Sequence, residues 1–163
     1  MNIDIFNTNK KYNIIYANPP WKSSLKSILD LPIQNIAADN CALFLWCTFP
    51  KLPQQLKVLE RWGFKYITVG FTWIKTNKNN GKPFFGIGHY TKSNSEICVL
   101  AIKGKMKPIS NKVSSIIVEP RQAGARKPDC IRWKIEHLFG DLPRIELFSK
   151  VDVDGWDHWT TSV

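Results

Sequence analysis

Short apolar runs recur along the chain and alternate with more polar stretches. Six of these runs have the length and composition of β-strands: residues 13–17, 42–46, 66–74, 96–102, 115–118 and 144–148. Several of these runs are apolar at nearly every position, which is typical of strands that are covered on both faces. The pattern therefore predicts an α/β fold, in which a mainly parallel sheet carries helices on both faces.

Helical periodicity is clearest in two segments between these runs. Over residues 54–62 the apolar side chains fall on one face, and Gly63 follows as a typical C-terminal cap. Over residues 128–139 the same spacing ends at Gly140. A weaker pattern predicts a helix over residues 33–40. Because neither a repeat nor a linker divides the sequence, we expect one domain that includes all 163 residues.

The composition is that of a globular protein with a strong basic excess. Hydrophobic residues make up 44% of the chain and charged residues 22%, values that exclude wholesale disorder. The formal net charge is +10, and 12% of the residues are aromatic. Cations interspersed with rings suit a nucleic-acid partner, because phosphates attract the charge and bases stack on the rings. A basic surface around a Trp-rich core is the alternative explanation.

The sequence lacks the features of secreted, membrane and metal-binding proteins. No apolar run approaches the roughly 20 residues of a membrane helix, and the first residues do not resemble a signal peptide. We therefore expect no membrane contact and a cytoplasmic location. The histidines and cysteines do not have the spacing of a zinc site, and we predict neither a metal site nor a disulfide. We interpret the cysteines as small core residues: Cys41, Cys47, Cys98 and Cys130.

A long polar segment interrupts the pattern between residues 75 and 94. Lysines and asparagines fill its first half, and Phe84, Phe85, His89 and Tyr90 follow. Loops of this length inside compact domains are usually either functional or disordered. Cations beside aromatic rings favour a loop that binds nucleic acid, and a mobile surface excursion is the alternative.

The sequence Asn18-Pro19-Pro20-Trp21 follows directly after the first predicted strand. Ligands of open α/β sheets bind at the carboxyl ends of the strands, and two prolines fix the directions of the neighbouring carbonyl groups. The tetrapeptide is therefore either a rigid turn or part of a site. The signatures of nucleotide-binding enzymes are missing, because the glycines in 86–88 precede no helix pattern and no phosphate loop occurs.

A site of this kind suits an exocyclic amine such as that of adenine. The lone pair of this amine is delocalised into the ring, so that the nitrogen is a poor nucleophile. If Asn18 Oδ1 and the Pro19 carbonyl accept the two amine hydrogens, the nitrogen becomes tetrahedral and its lone pair can point at an electrophilic methyl group. The indole of Trp21 can stack on the base and hold its plane. Because the proton becomes acidic only after methylation, no general base is required before the attack.

The order of these and further motifs resembles one enzyme family, the adenine-N(6) methyltransferases that include the catalytic subunit of the eukaryotic messenger-RNA methyltransferase. The similarity runs over nearly the whole chain and is carried by residues 16–21, 43–46, 62–64, 73–77, 86–89, 96, 103–104, 126–129, 146–148 and 155–156. It implies a Rossmann-like, circularly permuted fold that uses S-adenosylmethionine. It also implies a bacterial or phage-infected host cell as the setting.

The resemblance implies cofactor contacts in several parts of the chain. It places Lys127 at the methionyl carboxylate of the cofactor. Asp4 and Ile5 correspond to the segment that meets the cofactor's adenine, and Thr161 stands where an amide contacts the ribose or the adenine. The family's counterpart of a glycine-rich cofactor motif is matched by a strand end and the turn after it: Glu146, Phe148, Ser149 and Lys150.

The resemblance also implies substrate contacts, and this chain departs from the family pattern in places. Trp73, Lys75 and His89 match positions beside the target base. Asn18 stands where the family usually has Asp, and since related amino-methyltransferases use Asn, we expect activity to survive. Residues 159–162 replace the family's usual Trp-Gly-Asn ending, which predicts weaker cofactor binding.

The residues and the resemblance together predict an enzyme that transfers a methyl group from S-adenosylmethionine to the N(6) amine of adenine in nucleic acid. DNA is favoured over RNA, because the small bacterial and phage members lack extra RNA-binding modules. RNA methylation is an alternative, and so is a catalytically silent nucleic-acid-binding subunit of a methyltransferase complex. A homodimer or a complex with a partner subunit is compatible with each of these functions.

Overall fold

A seven-stranded sheet forms the centre of the structure, a computed structural model that describes residues 1–161. The strands are β1 (Tyr12–Ala17), β2 (Ala37–Cys47), β3 (Lys65–Thr76), β4 (Glu96–Lys103), β5 (Ile116–Pro120), β6 (Arg144–Leu147) and β7 (Asp157–Trp159). The helices are α1 (Leu25–Leu29), α2 (Ile33–Ile36), α3 (Leu52–Arg61) and α4 (Cys130–Phe139).

The sheet is mainly parallel, as the apolar runs predict. Its strand order is β5-β3-β4-β2-β1-β6-β7. β1 lies parallel to β2 and β6, and the pairs β3–β5 and β6–β7 are also parallel. β4 runs in the opposite direction and is antiparallel to both β2 and β3. Strand β1 therefore lies inside the sheet, where both of its edges are paired.

One edge of the sheet collects the strand ends at which a ligand site is expected. β1 ends at Ala17, which pairs with Leu45 of β2 and with Leu147 of β6. Because β4 runs the other way, it begins at this edge, where Glu96 pairs with Trp73 of β3. We call this side the carboxyl edge; it carries the segments that follow β1, β2, β3, β5 and β6, together with the start of β4.

Helices cover both faces of the sheet, as predicted. α1, α2 and the end of α3 pack on one face through Ile28, Ile33 and Trp62, and α4 packs on the other face through Ile131 and Ile135. These side chains are almost completely buried, and burying each contributes roughly 1.5–3 kcal/mol. Within residues 1–161, no helix has both the length and the apolar character needed to cross a membrane.

The predicted helix over 33–40 is wrong beyond its first turn. α2 ends at Ile36, and Ala37 adopts an extended backbone with φ −78° and ψ 129°. The physical reason is the neighbouring strand: Ala37 pairs with Tyr12 of β1, so that the backbone groups of β2 find their partners in the sheet. Tertiary pairing thus outweighs a weak helical pattern.

The remaining elements agree with the sequence pattern except for two short ones, α1 with five residues and β7 with three. Neither is long enough for its periodicity to stand out. The cysteines are free thiols; Cys41, Cys47 and Cys98 are buried as predicted, whereas Cys130 is half-buried. Burial raises the pKa of the Cys41 and Cys47 thiols to about 12, which keeps them neutral at physiological pH.

Candidate active site at the carboxyl edge

The corner formed by residues 18–21 projects from the end of β1 at the carboxyl edge. Pro19 is buried and Pro20 is exposed, so one proline lies within the protein and the other faces solvent. The Asn18 side chain is half-buried, and its Nδ2 donates a hydrogen bond to the carbonyl oxygen of Ala125 at 3.3 Å. Among residues 1–161, no donor occupies Asn18 Oδ1, which leaves this oxygen available to a ligand.

Trp21 closes the corner and ties it to the core. Its Nε1 donates to the backbone carbonyl of Trp46 at 2.9 Å, and its half-buried ring packs against the hydrophobic cluster beneath α1–α3. The indole therefore fixes the corner against β2. The part of the ring that stays exposed is the part that a base can contact.

Asn18 lines a cavity of about 220 Å³, which we call the first cavity. Tyr16 lies beneath it, and the Tyr16 hydroxyl accepts a hydrogen bond from Nε1 of the buried Trp46 at 2.8 Å. The first cavity is also lined by most of the residues that the resemblance assigns to the cofactor: Lys127, Glu146, Phe148, Ser149 and Lys150. The structure thus brings Asn18 and these residues together from three separate parts of the sequence.

A cluster of charged and aromatic groups lies beside the first cavity. The Glu96 carboxylate, at the start of β4, forms ion pairs with Lys127 and with Lys75, the latter at 3.4 Å. The ammonium group of Lys127 lies 5.3 Å from the ring centre of Trp46 and 5.9 Å from that of Trp73. The Lys127 side chain is only 11% exposed, so its charge acts in a poorly hydrated, aromatic-walled space.

A second cavity of about 110 Å³ adjoins the first and shares Lys127 with it. It is lined by Trp73, Lys75 and Glu96, and by the residues that follow β5. Trp73 is buried, and its Nε1 donates to the carbonyl of Glu119 at 3.0 Å. Two of the three predicted substrate residues, Trp73 and Lys75, therefore lie next to Asn18 and the first cavity.

The third predicted substrate residue, His89, is not part of this assembly. It is exposed on the segment between β3 and β4 and lines none of the cavities found among residues 1–161.

Glu146 is held by an arginine that the sequence did not single out. Both carboxylate oxygens of Glu146 accept hydrogen bonds from Arg132 of α4, at 2.6 Å from Nε and 3.1 Å from Nη2. Glu146 is 8% exposed, and this bidentate pair compensates its buried charge. Arg132 lies three positions after Asp129, and its position on a helix facing β6 becomes apparent only in the fold.

The backbone immediately after β6 has an unusual conformation. Phe148 has a φ of 65°, the left-handed region that favours glycine. Strained backbone of this kind is found preferentially at ligand sites. The conformation turns the chain so that the N–H of Ser149 donates to the carbonyl of Trp159 at 3.0 Å. The turn after β6 thus holds a non-glycine residue with a glycine-like φ.

A separate cavity of about 450 Å³, the third cavity, is lined by two predicted cofactor residues, Asp4 and Thr161, and by Trp159. The rings of Phe148 and Trp159 lie 5.6 Å apart and connect it with the first cavity. Hydrogen bonds from Asn7 and from the backbone of Phe6 lower the pKa of Asp4, whose carboxylate is therefore ionised at neutral pH.

Ile5 differs from the other predicted cofactor residues, because its side chain is 2% exposed and packs in the core. Ile5 therefore does not line the third cavity, and a direct contact with the cofactor is not expected of its side chain.

The two cavities beside Asn18 carry a marked excess of positive charge. Two carboxylates line them, Glu96 and Glu146. The basic residues that line them are Lys75, Arg121, Arg126, Lys127, Arg132 and Lys150. Among residues 1–161, no group of three or more His, Cys, Asp or Glu could hold a metal ion. The arrangement suits anionic ligands and provides hydrogen-bond acceptors at Asn18.

Comparison with known proteins agrees with the motif order. Residues 12–162 match the family described as MT-A70. The Type II methyltransferase M.MunI of a Mycoplasma species is 31% identical over 186 residues, which cover 92% of this chain and 77% of that protein. An MT-A70-like protein of Medicago truncatula is 28% identical over 154 residues, which cover 86% of this chain and 24% of that protein.

A further relative is METTL14 of Xenopus tropicalis, the non-catalytic subunit of an N(6)-adenosine-methyltransferase. It is 32% identical over 151 residues, which cover 83% of this chain and 32% of that protein. The chain therefore spans most of M.MunI but only a third or less of the other two relatives.

Proposed function

The chain belongs to the MT-A70 family, and from this premise we propose that it transfers a methyl group from S-adenosylmethionine to the N(6) amine of adenine in DNA. The observation that carries the proposal is the position of Asn18. Its Nδ2 is held by Ala125, its Oδ1 is available, and it shares the first cavity with Lys127 and Glu146.

The charged groups of the first cavity fit the cofactor. Lys127 offers a cation to the methionyl carboxylate, and Glu146 offers a carboxylate to the methionyl ammonium group. Asp4 and Thr161, in the third cavity, offer polar contacts to the ribose and the adenine. When bound, S-adenosylmethionine supplies an electrophilic methyl group on a sulfonium.

The corner of residues 18–21 prepares the amine for attack. Asn18 Oδ1 and the Pro19 carbonyl accept the two amine hydrogens, and the nitrogen lone pair is turned toward the methyl carbon. Bound S-adenosylmethionine would supply the methyl group to this nitrogen, and sulfur would keep the electrons of the broken C–S bond. The nitrogen then carries a positive charge and releases one proton to solvent. The corner contributes orientation, and it does not need to act as a general base.

The charge distribution supports a nucleic-acid substrate. The net charge of +10 and the basic lining of both cavities favour phosphates. We propose DNA rather than RNA, because the similarity spans most of M.MunI, whereas the N(6)-adenosine relative METTL14 is about three times as long as the matched part. In duplex DNA the target adenine must rotate out of the stack to reach Asn18.

A second candidate function is that of a catalytically silent subunit. The similarity to METTL14, a non-catalytic subunit by name, favours it. The intact Asn18-Pro19-Pro20-Trp21 corner with an available acceptor favours the enzyme. A silent subunit would act through a homodimer or a partner subunit, and the two functions differ in whether the isolated chain turns over.

The test is direct. The purified chain is incubated with S-adenosylmethionine that carries a trideuterated methyl group and, in parallel reactions, with duplex DNA or with RNA of mixed sequence, and the nucleosides are analysed by mass spectrometry. The proposal expects trideuterated N(6)-methyladenine. Cofactor binding without any labelled adenine in DNA or RNA would favour the silent subunit, and labelled adenine in RNA alone would overturn the choice of DNA.

A further inference from the structure

The segment of residues 77–95, which joins β3 to β4, is anchored firmly at its base; we call it the basic loop. Asn94 holds the anchor: its Oδ1 accepts from the backbone N–H of Lys75 at 3.1 Å, and its Nδ2 donates to the carbonyls of Lys75 and Phe84. A β-bridge between Thr76 and Pro83 adds a second connection. The loop therefore leaves the sheet in a defined direction.

The base of the basic loop lies directly beside the second cavity. The guanidinium group of Arg121, which lines that cavity, stacks over the ring of Phe84 with its carbon atom 3.6 Å from the ring centre. Lys75, at the foot of the loop, lines the same cavity. The base of the basic loop is therefore fixed beside the candidate active site.

The tip of the loop, residues 86–93, has a shape of its own. It is closed by a β-bridge between Gly86 and Ser93, in which the N–H of Gly86 donates to the Ser93 carbonyl at 2.7 Å. A Cβ atom at Gly88 would lie 2.0 Å from the carbonyl oxygen of Thr91. The turn is thus tight enough to require glycine, and the tip is a compact hairpin.

This hairpin presents two large apolar side chains to solvent. The relative exposure of Ile87 is 105% and that of Tyr90 is 102%. Neither side chain contributes to the core, and such full exposure of a neighbouring apolar pair on a shaped tip suggests a binding role. Lysines carry positive charge along the same loop: Lys78, Lys82 and Lys92. Apolar groups flanked by cations match a base stack flanked by phosphates.

We propose that the tip of the basic loop inserts Tyr90, with Ile87 beside it, into the base stack of duplex DNA, in the space that the target adenine leaves. This inference rests on the proposed function. Rotating a base out of a duplex breaks its stacking and pairing, and an aromatic side chain that stacks in the gap offsets part of that cost. The lysines of the loop hold the flanking phosphates while the adenine occupies the site at Asn18.

The experiment compares two substrates for one pair of variants. Methyl transfer by the wild type, the double variant I87A/Y90A and the control variant I109A is measured on a paired duplex and on the same target sequence as a single strand. Ile109 is also an exposed isoleucine, 71% exposed, and lies outside the basic loop. We expect the methyl transfer of I87A/Y90A to fall about 5- to 150-fold on the duplex, in line with the stacking energy, and to change little on the single strand. I109A is expected to match the wild type.

A second readout does not depend on transfer. With 2-aminopurine in place of the target adenine of a duplex, the wild type is expected to raise the fluorescence as the base leaves the stack, and I87A/Y90A to raise it much less. Equal loss of transfer on both substrates would overturn insertion in favour of general strand contact. Unchanged transfer on the duplex, or wild-type transfer confined to single strands, would also overturn it.

Failure of the proposed function has a different result from failure of insertion. If no substrate is methylated, the proposed function fails, and the fluorescence experiment still decides whether the tip enters a duplex. If sedimentation shows that the wild type is a dimer and I87A/Y90A a monomer, the tip is a protein interface and the proposal is overturned.

Discussion

At the residue scale, the most consequential feature of the site is one carboxylate shared by two lysines. Lys75 and Lys127 both pair with Glu96, and the three side chains are between 11% and 18% exposed. One carboxylate cannot compensate two ammonium groups, and a partly buried excess charge is costly unless a ligand compensates it. The ion pair with Glu96 therefore keeps Lys127 in place. The positive charge that Glu96 leaves uncompensated gives Lys127 affinity for an anion.

We expect Lys127→Met to weaken the binding of S-adenosylmethionine about tenfold or more, because a charge-assisted hydrogen bond is worth about 1.5–3 kcal/mol. Isothermal titration calorimetry measures the change. The matched control is Lys57→Met, which removes an exposed lysine of α3 and should leave the affinity unchanged. Unaltered affinity in Lys127→Met would contradict the assignment of this residue to the cofactor.

At the element scale, short β7 depends on contacts at its first residue. Asp157 accepts a hydrogen bond from the hydroxyl of Tyr12 at 2.7 Å and pairs with Lys10 at 3.0 Å, which ties β7 to β1. Burial alone would raise the pKa of Asp157, but the hydrogen bonds from Tyr12 and Lys10 outweigh it and hold this pKa below its ordinary value. The ionised form is thus favoured by folding.

The pKa of Asp157 predicts how stability depends on pH. Because the folded pKa lies below the unfolded one, the contribution is fully present above about pH 4 and is lost as the pH falls toward the folded pKa. We expect Asp157→Asn to cost roughly 1–3 kcal/mol at pH 7 and less at pH 3, where the contribution of the charge has begun to be lost. Urea unfolding at both pH values measures this, with the exposed Asp154→Asn as control. An equal cost at both pH values would refute the role of the charge.

A second prediction at this scale concerns the turn after β4. Gly104 has a φ of 70°, and a Cβ there would lie 2.2 Å from the carbonyl oxygen of Asp39. Gly81 has a similar φ of 66° but open space around it. Both alanine variants incur the left-handed cost of about 1–2 kcal/mol. The free energy of unfolding, measured by urea denaturation, should fall clearly more in Gly104→Ala than in Gly81→Ala, because the backbone at Gly104 must also shift. Equal losses in the two variants would argue against the close contact between Gly104 and Asp39.

The elements show what the sequence could predict and what it could not. Long apolar strands and the helix α4 were predictable, because continuous apolar runs and helical spacing are local signals. The helix over 33–40 was wrong because strand pairing with β1 is not local. The role of Arg132 and the φ of Phe148 also depend on the fold, since α4 and β6 meet only in three dimensions. Family resemblance, rather than periodicity, indicated Lys127 and Glu146.

At the scale of the whole molecule, the carboxyl edge combines the corner of residues 18–21, the first cavity and a basic surface. The net charge of +10 is distributed so that lysines and arginines line the cavities and continue onto the basic loop. A polyanionic substrate would therefore be attracted to the edge at which we propose that the adenine binds.

Nucleic-acid binding should depend steeply on salt. Six basic residues line the two cavities beside Asn18, and if roughly four to six of the cations on this edge contact phosphates, a plot of log affinity against log salt has a slope of about −4 to −5. Replacing Lys78, Lys82 and Lys92 of the basic loop with alanine should make the slope shallower by up to about 3. Fluorescence anisotropy with labelled duplex DNA measures both slopes. An unchanged slope in the triple variant would exclude phosphate contacts by the loop.

The central claim is that Asn18 orients an adenine amine toward a methyl donor, and the variant Asn18→Ala tests it most directly. Transfer of a labelled methyl group to adenine and binding of S-adenosylmethionine are measured on the same preparations of wild type and variant. The account predicts that Asn18→Ala binds the cofactor like the wild type and transfers no detectable methyl group. Transfer at a rate close to that of the wild type would contradict it.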